Sequence, residues 1–392
     1  MDSKQEESWG KRERSWRRWR YFLRDVGVAD PMLDSVSTKG RRYLAKCFLV
    51  LHRRGRFDVE GRHVGRREKP MVASTIRDAV SNVAATFRAN DRESPFHYEG
   101  GVAGADRLRK ELKEILAAFE NKDPPPERQK AVTPTLLEDM LALAGMLSPV
   151  HEHTADLAVG GFFFAMRACE FCRTEKKGRT KTIEMCDITF RDKSKRVVPK
   201  TSHDLEKRAH YVTIRFVFQK NKERTDRRTQ GRSRRYLCPV RAWARVCRRV
   251  ITTCKKVNAS TQVCQLGDSK GRITHVTSSR VRDLLRLTCN RFSKEKGYGI
   301  DEHELGTRSI RSGAAMALFL QDHSVEKIKI LGRWSSDAFL VYIRPQVLEW
   351  TNIMARDMGS NKDFRDLNRD SSRSHRSVKR HEGTMPSFHM SH

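Results

Sequence analysis

A mainly α chain, α+β in class, is predicted by three observations. Apolar residues recur at helical spacing through both halves of the chain, period-two alternation is confined to a short stretch around Val212, and a Pro-rich charged segment separates the halves. At 392 residues the chain is long enough for two domains and tails. The expected architecture is a helical N-terminal domain followed by a helical domain with a small antiparallel β-sheet.

The elements follow in chain order. Residues 1–15 are expected to be loose. Residues 16–119 read as an all-helical domain, with one helix burying Trp16, Trp19, Phe22 and Leu23, a second Ile76, Val80, Val83 and Phe87, and a third Leu108, Leu112, Ile115 and Phe119. Residues 120–134, rich in proline and charge, read as a linker, and Thr133 followed by Pro134 marks the next helix start. The second domain, residues 135–358, should open with two apolar helices. Strands follow near Thr182–Phe190 and His210–Lys220, where Val212, Ile214, Phe216 and Phe218 alternate with Thr213 and Arg215. Helices are then expected at Pro239–Ile251 and Ser278–Phe292. Further on, Ile310, Ala314 and Leu318 define one helix and Val325, Ile328 and Leu331 another, N-capped by Ser324 and ended by a left-handed Gly332. Arg333 and Trp334 therefore fall at a sharp corner. A short helix from Ser335 or Ser336 would carry Tyr342 within an apolar run, and residues 359–392, rich in Ser, Arg and His, read as a disordered basic tail.

Composition indicates a partner. With 79 Lys and Arg against 48 Asp and Glu, the formal charge is +31, which attracts a phosphate backbone strongly and in a salt-dependent way. DNA or RNA is the expected partner and a membrane is not, since no apolar run approaches the roughly twenty residues of a spanning helix. The first residues lack the apolar region of a secretory signal, so the chain is expected inside the cell. Nine scattered cysteines do not form a disulfide framework. Cys169 and Cys172 form a C-x-x-C without a second ligand pair at zinc-finger distance, which reads as core packing, so no metal site is expected. No phosphate-binding loop, dinucleotide fingerprint or H-E-x-x-H is present, and no cofactor is expected.

The stretch TRSIRSGAAMALFLQDHSVEKIKILGRWSSDAFLVY, Thr307 to Tyr342, orders an arginine, a Gly-Arg-Trp corner and a tyrosine. Upstream stand GFFFAMRACEF with Arg167 and Glu170, and VTIRFVFQKNKER with Lys220, Lys222 and Arg224. Together with LCPVRAW, Leu237 to Trp243, these segments resemble the tyrosine recombinases of the phage-integrase superfamily, most closely the Crypton-type recombinases of eukaryotic mobile elements. The resemblance is good from mid-chain to Pro345 and weaker before it.

The resemblance implies a strand-transferase acting on double-stranded DNA without ATP or metal. Tyr342 would attack the scissile phosphate, Arg167 and Arg311 would hold its non-bridging oxygens, and Lys220 would protonate the leaving 5′ oxygen. Trp334 would buttress the tyrosine helix and donate to the phosphate; Lys222, Arg224 and Arg333 would contact DNA nearby. It further implies a helical domain clamping DNA opposite the catalytic one, a homo-tetramer on paired sites with Ile343–Met358 as a docking helix, and a nuclear location. Two departures stand out. Arg308 occupies the position of the usual histidine, and an arginine neutralises a phosphate but does not exchange protons near neutral pH. Counting back nine residues from Tyr342 lands on Arg333, whereas residue type favours Trp334 and a one-residue deletion. The alternatives are a catalytically silent, domesticated DNA-binding factor, kept open by Arg308, and a type IB topoisomerase.

Overall fold

A computed structural model describes residues 3–56, 70–97, 108–125, 129–173, 180–217, 225–268, 270–336 and 339–340. The account below concerns the unit that ends at Ser335.

Among the described residues four helices build the N-terminal core: α1 (Ser3–Asp25), α2 (Thr38–Arg53), α3 (Ala73–Ala89) and α4 (Lys110–Glu120). Where a loose N-terminus was expected, α1 already runs from Ser3, its basic stretch carried into the apolar turns that pack on α3. Trp19 is the pivot of this core. Its indole meets Phe48, Phe87 and Phe96 edge-on, with centroids 5.2–6.2 Å away, while its N–H donates to the Pro31 carbonyl at 3.0 Å, so a large apolar body is buried with its one polar atom satisfied. α2 lies where no helix was anticipated. Its signal is nonetheless present, since Leu44, Phe48 and Leu49 share a buried face and Ser37 caps the start by accepting from the Gly40 amide at 3.2 Å. Asp123, on the chain leaving α4, accepts from the Ala73 amide at 2.7 Å and from Arg53 at 2.5 Å, tying α3's first turn to α2.

The second core begins at α5 (Pro134–Leu147), where Thr133 caps by accepting from the Leu136 amide and Pro134 occupies the first turn. The apolar α6 (Pro149–Phe163) and the single-turn α7 (Ala168–Phe171) follow. Strands β1 (Ile188–Arg191), β2 (Val197–Val198), β3 (Tyr211–Phe216) and β4 (Asp226–Gly231) pair antiparallel in the order β2-β1-β3-β4, with the short α8 (Leu205–Arg208) between β2 and β3. The alternation read in β3 is realised: Val212, Ile214 and Phe216 are buried. The first strand is shorter than anticipated, because Met185–Asp187 forms a 3₁₀ turn before Ile188. α9 (Pro239–Thr253) packs on α6, a hairpin of β5 (Gln265–Gly267) and β6 (Ile273–His275) follows, and α10 (Ser278–Lys296) ends at a left-handed Gly297. α11 (Thr307–Phe319) and α12 (Val325–Gly332) complete the core. Among the described residues no helix is long and apolar enough to cross a membrane.

Candidate active site

Two helix ends present the site. α6 closes with a six-residue turn in which the Met166 amide donates to Gly161 at 2.8 Å and the Ala165 amide to Phe162 at 3.0 Å. The left-handed position of this turn belongs to Ala165, φ 45°, rather than to glycine. The chain then turns directly into α7 with Arg167 at its N-cap, and Glu170 at the third helical position reaches back to accept from the Arg167 amide at 2.8 Å.

α12 closes in the same way. The Trp334 amide donates to Lys329 at 3.0 Å and the Arg333 amide to Ile330 at 3.3 Å, and the left-handed residue is Arg333, φ 56°. Gly332, expected in that role, is not left-handed. It is a glycine position for a different reason: a Cβ there would overlap the Trp334 ring. A left-handed non-glycine residue costs roughly 1–2 kcal/mol, so surrounding contacts must hold the corner.

Those contacts come from four elements, α7, β3, β4 and α11. The Arg333 guanidinium, its side chain fully buried, pairs with Glu170 at 2.7 Å and lies 3.6 Å over the Phe216 ring at the end of β3. The Arg228 Nε on β4 donates to the Ile330 carbonyl at 3.1 Å. On α11, Arg311 donates to the Gly332 carbonyl and sits 4.5 Å over the Trp334 ring. Ser324 caps α12 as anticipated. Arg311 and Trp334 are therefore in contact. Arg167 reaches the same corner through Glu170, which it pairs with at 3.1 Å through Nη1 while a quarter of its side chain remains exposed.

The electrostatics are unbalanced. One buried carboxylate, Glu170, serves both Arg167 and Arg333, and Nε and Nη1 of Arg333 have no hydrogen-bond partner among the described residues. Burial lowers the affinity of Arg333 for its proton; Glu170 opposes this and the neighbouring Arg167 reinforces it. Chemically, Arg167 retains donors for a tetrahedral anion. Arg333, expected among the DNA contacts, faces Glu170 and not solvent.

The remaining anticipated positions divide into two groups. Arg308 is exposed at the first turn of α11, its amide donating to Gln129 at 3.1 Å. Lys220, Lys222, Arg224 and Tyr342, the docking helix Ile343–Met358 and the tail 359–392 lie outside the described residues. Sequence reasoning missed the shared use of Glu170 and the bracing by Phe216 and Arg228, whose only signal was proximity to the sheet hairpin. Cys172 is buried in the core, and burial pushes its thiol well up, followed by the neighbouring Cys264 and Cys169. Glu184, Cys186 and Asp187 cluster at ligand distance, but Lys181 and Arg215 already neutralise the two carboxylates at 2.8 and 2.9 Å.

No protein-family model matches the chain, and no curated protein does. Among solved structures it is similar to the Tn1549 transposon integrase in complex with transposon right end DNA, at 12% identity and a TM-score of 0.41, covering 87% of this chain and 86% of that one. It is also similar to the XerH site-specific recombinase bound to difH before cleavage, at 11% identity and a TM-score of 0.43, covering 84% and 70%. XerH after cleavage of a palindromic difH substrate gives 12% identity and a TM-score of 0.45, covering 80% and 71%.

Proposed function

We propose that this chain is a tyrosine recombinase that cuts and rejoins duplex DNA through a 3′-phosphotyrosyl intermediate, in the integration or excision of a Crypton-type mobile element. The observation that carries the reading is the convergence of Arg167, Arg311 and Trp334 on the Gly332–Trp334 corner, eight residues before Tyr342. Distant parts of the chain bring cations and an indole to one turn. In this reading the Tyr342 phenol loses its proton to solvent as its oxygen attacks phosphorus. The bond from phosphorus to the 5′ oxygen breaks, and Lys220 delivers a proton to the departing oxygen. Arg167 and Arg311 stabilise the charge that grows on the non-bridging oxygens. The phosphotyrosyl bond conserves the energy of the original linkage, so a 5′ hydroxyl from another strand reseals it. Four cuts per exchange call for a homo-tetramer, and the reading puts this work in the nucleus.

A second reading, a silent DNA-binding descendant, is favoured by one observation: Arg308 is exposed at the position where the family carries a proton-exchanging histidine. A single experiment separates the two. Nicked duplexes from the ends of the chain's own genomic element are incubated with the protein, denatured with detergent and examined for covalently held DNA. An adduct that disappears in Tyr342→Phe establishes the recombinase. Binding without an adduct, with the adduct restored by Arg308→His, establishes the silent descendant; no adduct in either protein overturns the active-site reading.

A further inference from the structure

We infer that Arg333 is the positioning residue of this site, an internal brace that locks the Arg167 turn to the Trp334 corner, and that it does not contact DNA. The inference rests on the recombinase reading for its catalytic consequence and on geometry for the brace. Arg333 is fully buried, its Nη2 donates to Glu170 at 2.7 Å, and its guanidinium carbon lies over the Phe216 ring, 3.6 Å from the centroid. Glu170, 1% exposed, accepts at the same time from the Arg167 amide and from the Arg167 Nη1. One carboxylate is thus held between a partly exposed arginine and a buried one. Through its backbone, Arg333 sets the left-handed turn that stacks Trp334 on Arg311, and through its side chain it meets Glu170, which in turn holds Arg167. The choice of arginine has a physical reason. A lysine ammonium is a point charge that does not stack on Phe216, and glycine would ease the backbone but leave α7 unbraced.

The sequence position sharpens the point. Counting nine residues back from Tyr342 selects Arg333, and a residue selected that way would be read as touching the phosphate. The burial of its side chain assigns that outward role to Trp334 and leaves Arg333 behind it.

The test compares adduct formation with DNA affinity in Arg333→Met, Arg333→Lys, Glu170→Gln and the Met/Gln double variant, each first checked for cooperative unfolding. Misplacing the fixed arginine by about 1 Å is expected to slow adduct formation about 100-fold in Arg333→Met, while affinity for uncleaved DNA changes by less than about threefold. The double variant should be no slower than the slower single variant, because the two residues act as one unit. Parallel loss of affinity and adduct would make Arg333 a DNA contact and overturn the inference, as would a wild-type rate in Arg333→Met. If the wild-type protein forms no adduct, the recombinase reading fails independently, and amide hydrogen exchange then decides. Arg333→Met should raise exchange at residues 167–171 and 330–334 together, and unchanged protection at 167–171 refutes the brace. If Arg333→Met does not fold, Arg333→Lys carries the same comparison.

Discussion

Two arginine clusters in the second core differ in one respect that sets their roles. Between α6 and α9, Arg245 and Arg249 converge on Asp156, and each has a further carboxylate: Arg245 pairs with Glu206 at 3.2 Å and Arg249 with Glu152 at 2.8 Å. With Arg248, 3.8 Å from Glu206, three guanidinium groups meet three carboxylates. Around α7 and the α12 corner, Arg167 and Arg333 meet one, Glu170. The proton affinities respond in opposite directions. Burial alone would weaken that of Arg245, but hydrogen bonds and charge from Asp156 and Glu206 raise it, whereas burial prevails at Arg333 and its affinity falls. A balanced cluster is finished by folding and holds two helices together. An under-neutralised one, reached by solvent through the partly exposed Arg167, keeps guanidinium donors unused.

The comparison breaks most directly at Glu170. Glu170→Ala removes the one carboxylate of a fully buried arginine and is expected to cost about 3–5 kcal/mol in denaturant unfolding. Glu152→Ala, at a residue 39% exposed in the balanced cluster, should cost about 1 kcal/mol or less because Asp156 remains on Arg249. Equal losses would show that the carboxylate count does not distinguish the clusters.

Acid tests the balanced cluster from within. His153, buried beside Arg249 and Asp156, has its proton affinity lowered to about 4 from 6.5, first by burial and then by Arg249. In the window between these values the unfolded chain binds more protons than the folded one. Stability is therefore fully present above about pH 6.5 and lost as pH falls toward 4, by roughly 3 kcal/mol. His153→Gln should flatten this pH dependence, measured by thermal unfolding; an unchanged slope would locate the proton uptake elsewhere.

The smallest effect concerns the two matching turns. Ala165→Gly relieves a left-handed alanine and should stabilise the protein by about 1 kcal/mol, whereas Arg333→Gly relieves the same backbone conformation yet destabilises, because the ion pair and the contact with Phe216 are lost. If both substitutions stabilise, Arg333 does not brace the corner.

Much of the helical framework was legible because its signals are local. Thr133-Pro134 and Ser324 start helices through caps made within three residues, and the alternation of Val212, Ile214 and Phe216 follows from a strand with one buried face. Errors arose where local signals compete. Glycine is the usual left-handed residue at a helix end, so Gly332 drew that assignment, but the Trp334 ring occupies the space beside it and passes the strained conformation to Arg333. The N-terminal helix was placed too late because its first turns are nearly all polar, and packing on α3, not propensity, holds the helix that extends them.

By itself the sequence determined the helical periodicity, the basic character and the order of arginine, Gly-Arg-Trp corner and tyrosine, since each is a property of spacing or of counted charge. Which arginine faces outward was decided only by the tertiary structure. Arg167, Arg311 and Arg333 are chemically identical side chains, and their roles separate only when Glu170, Phe216 and Trp334 arrive from distant parts of the chain to bury one, stack one and leave one partly open. Burial and charge balance are properties of neighbours in space, and no spacing along the chain encodes them.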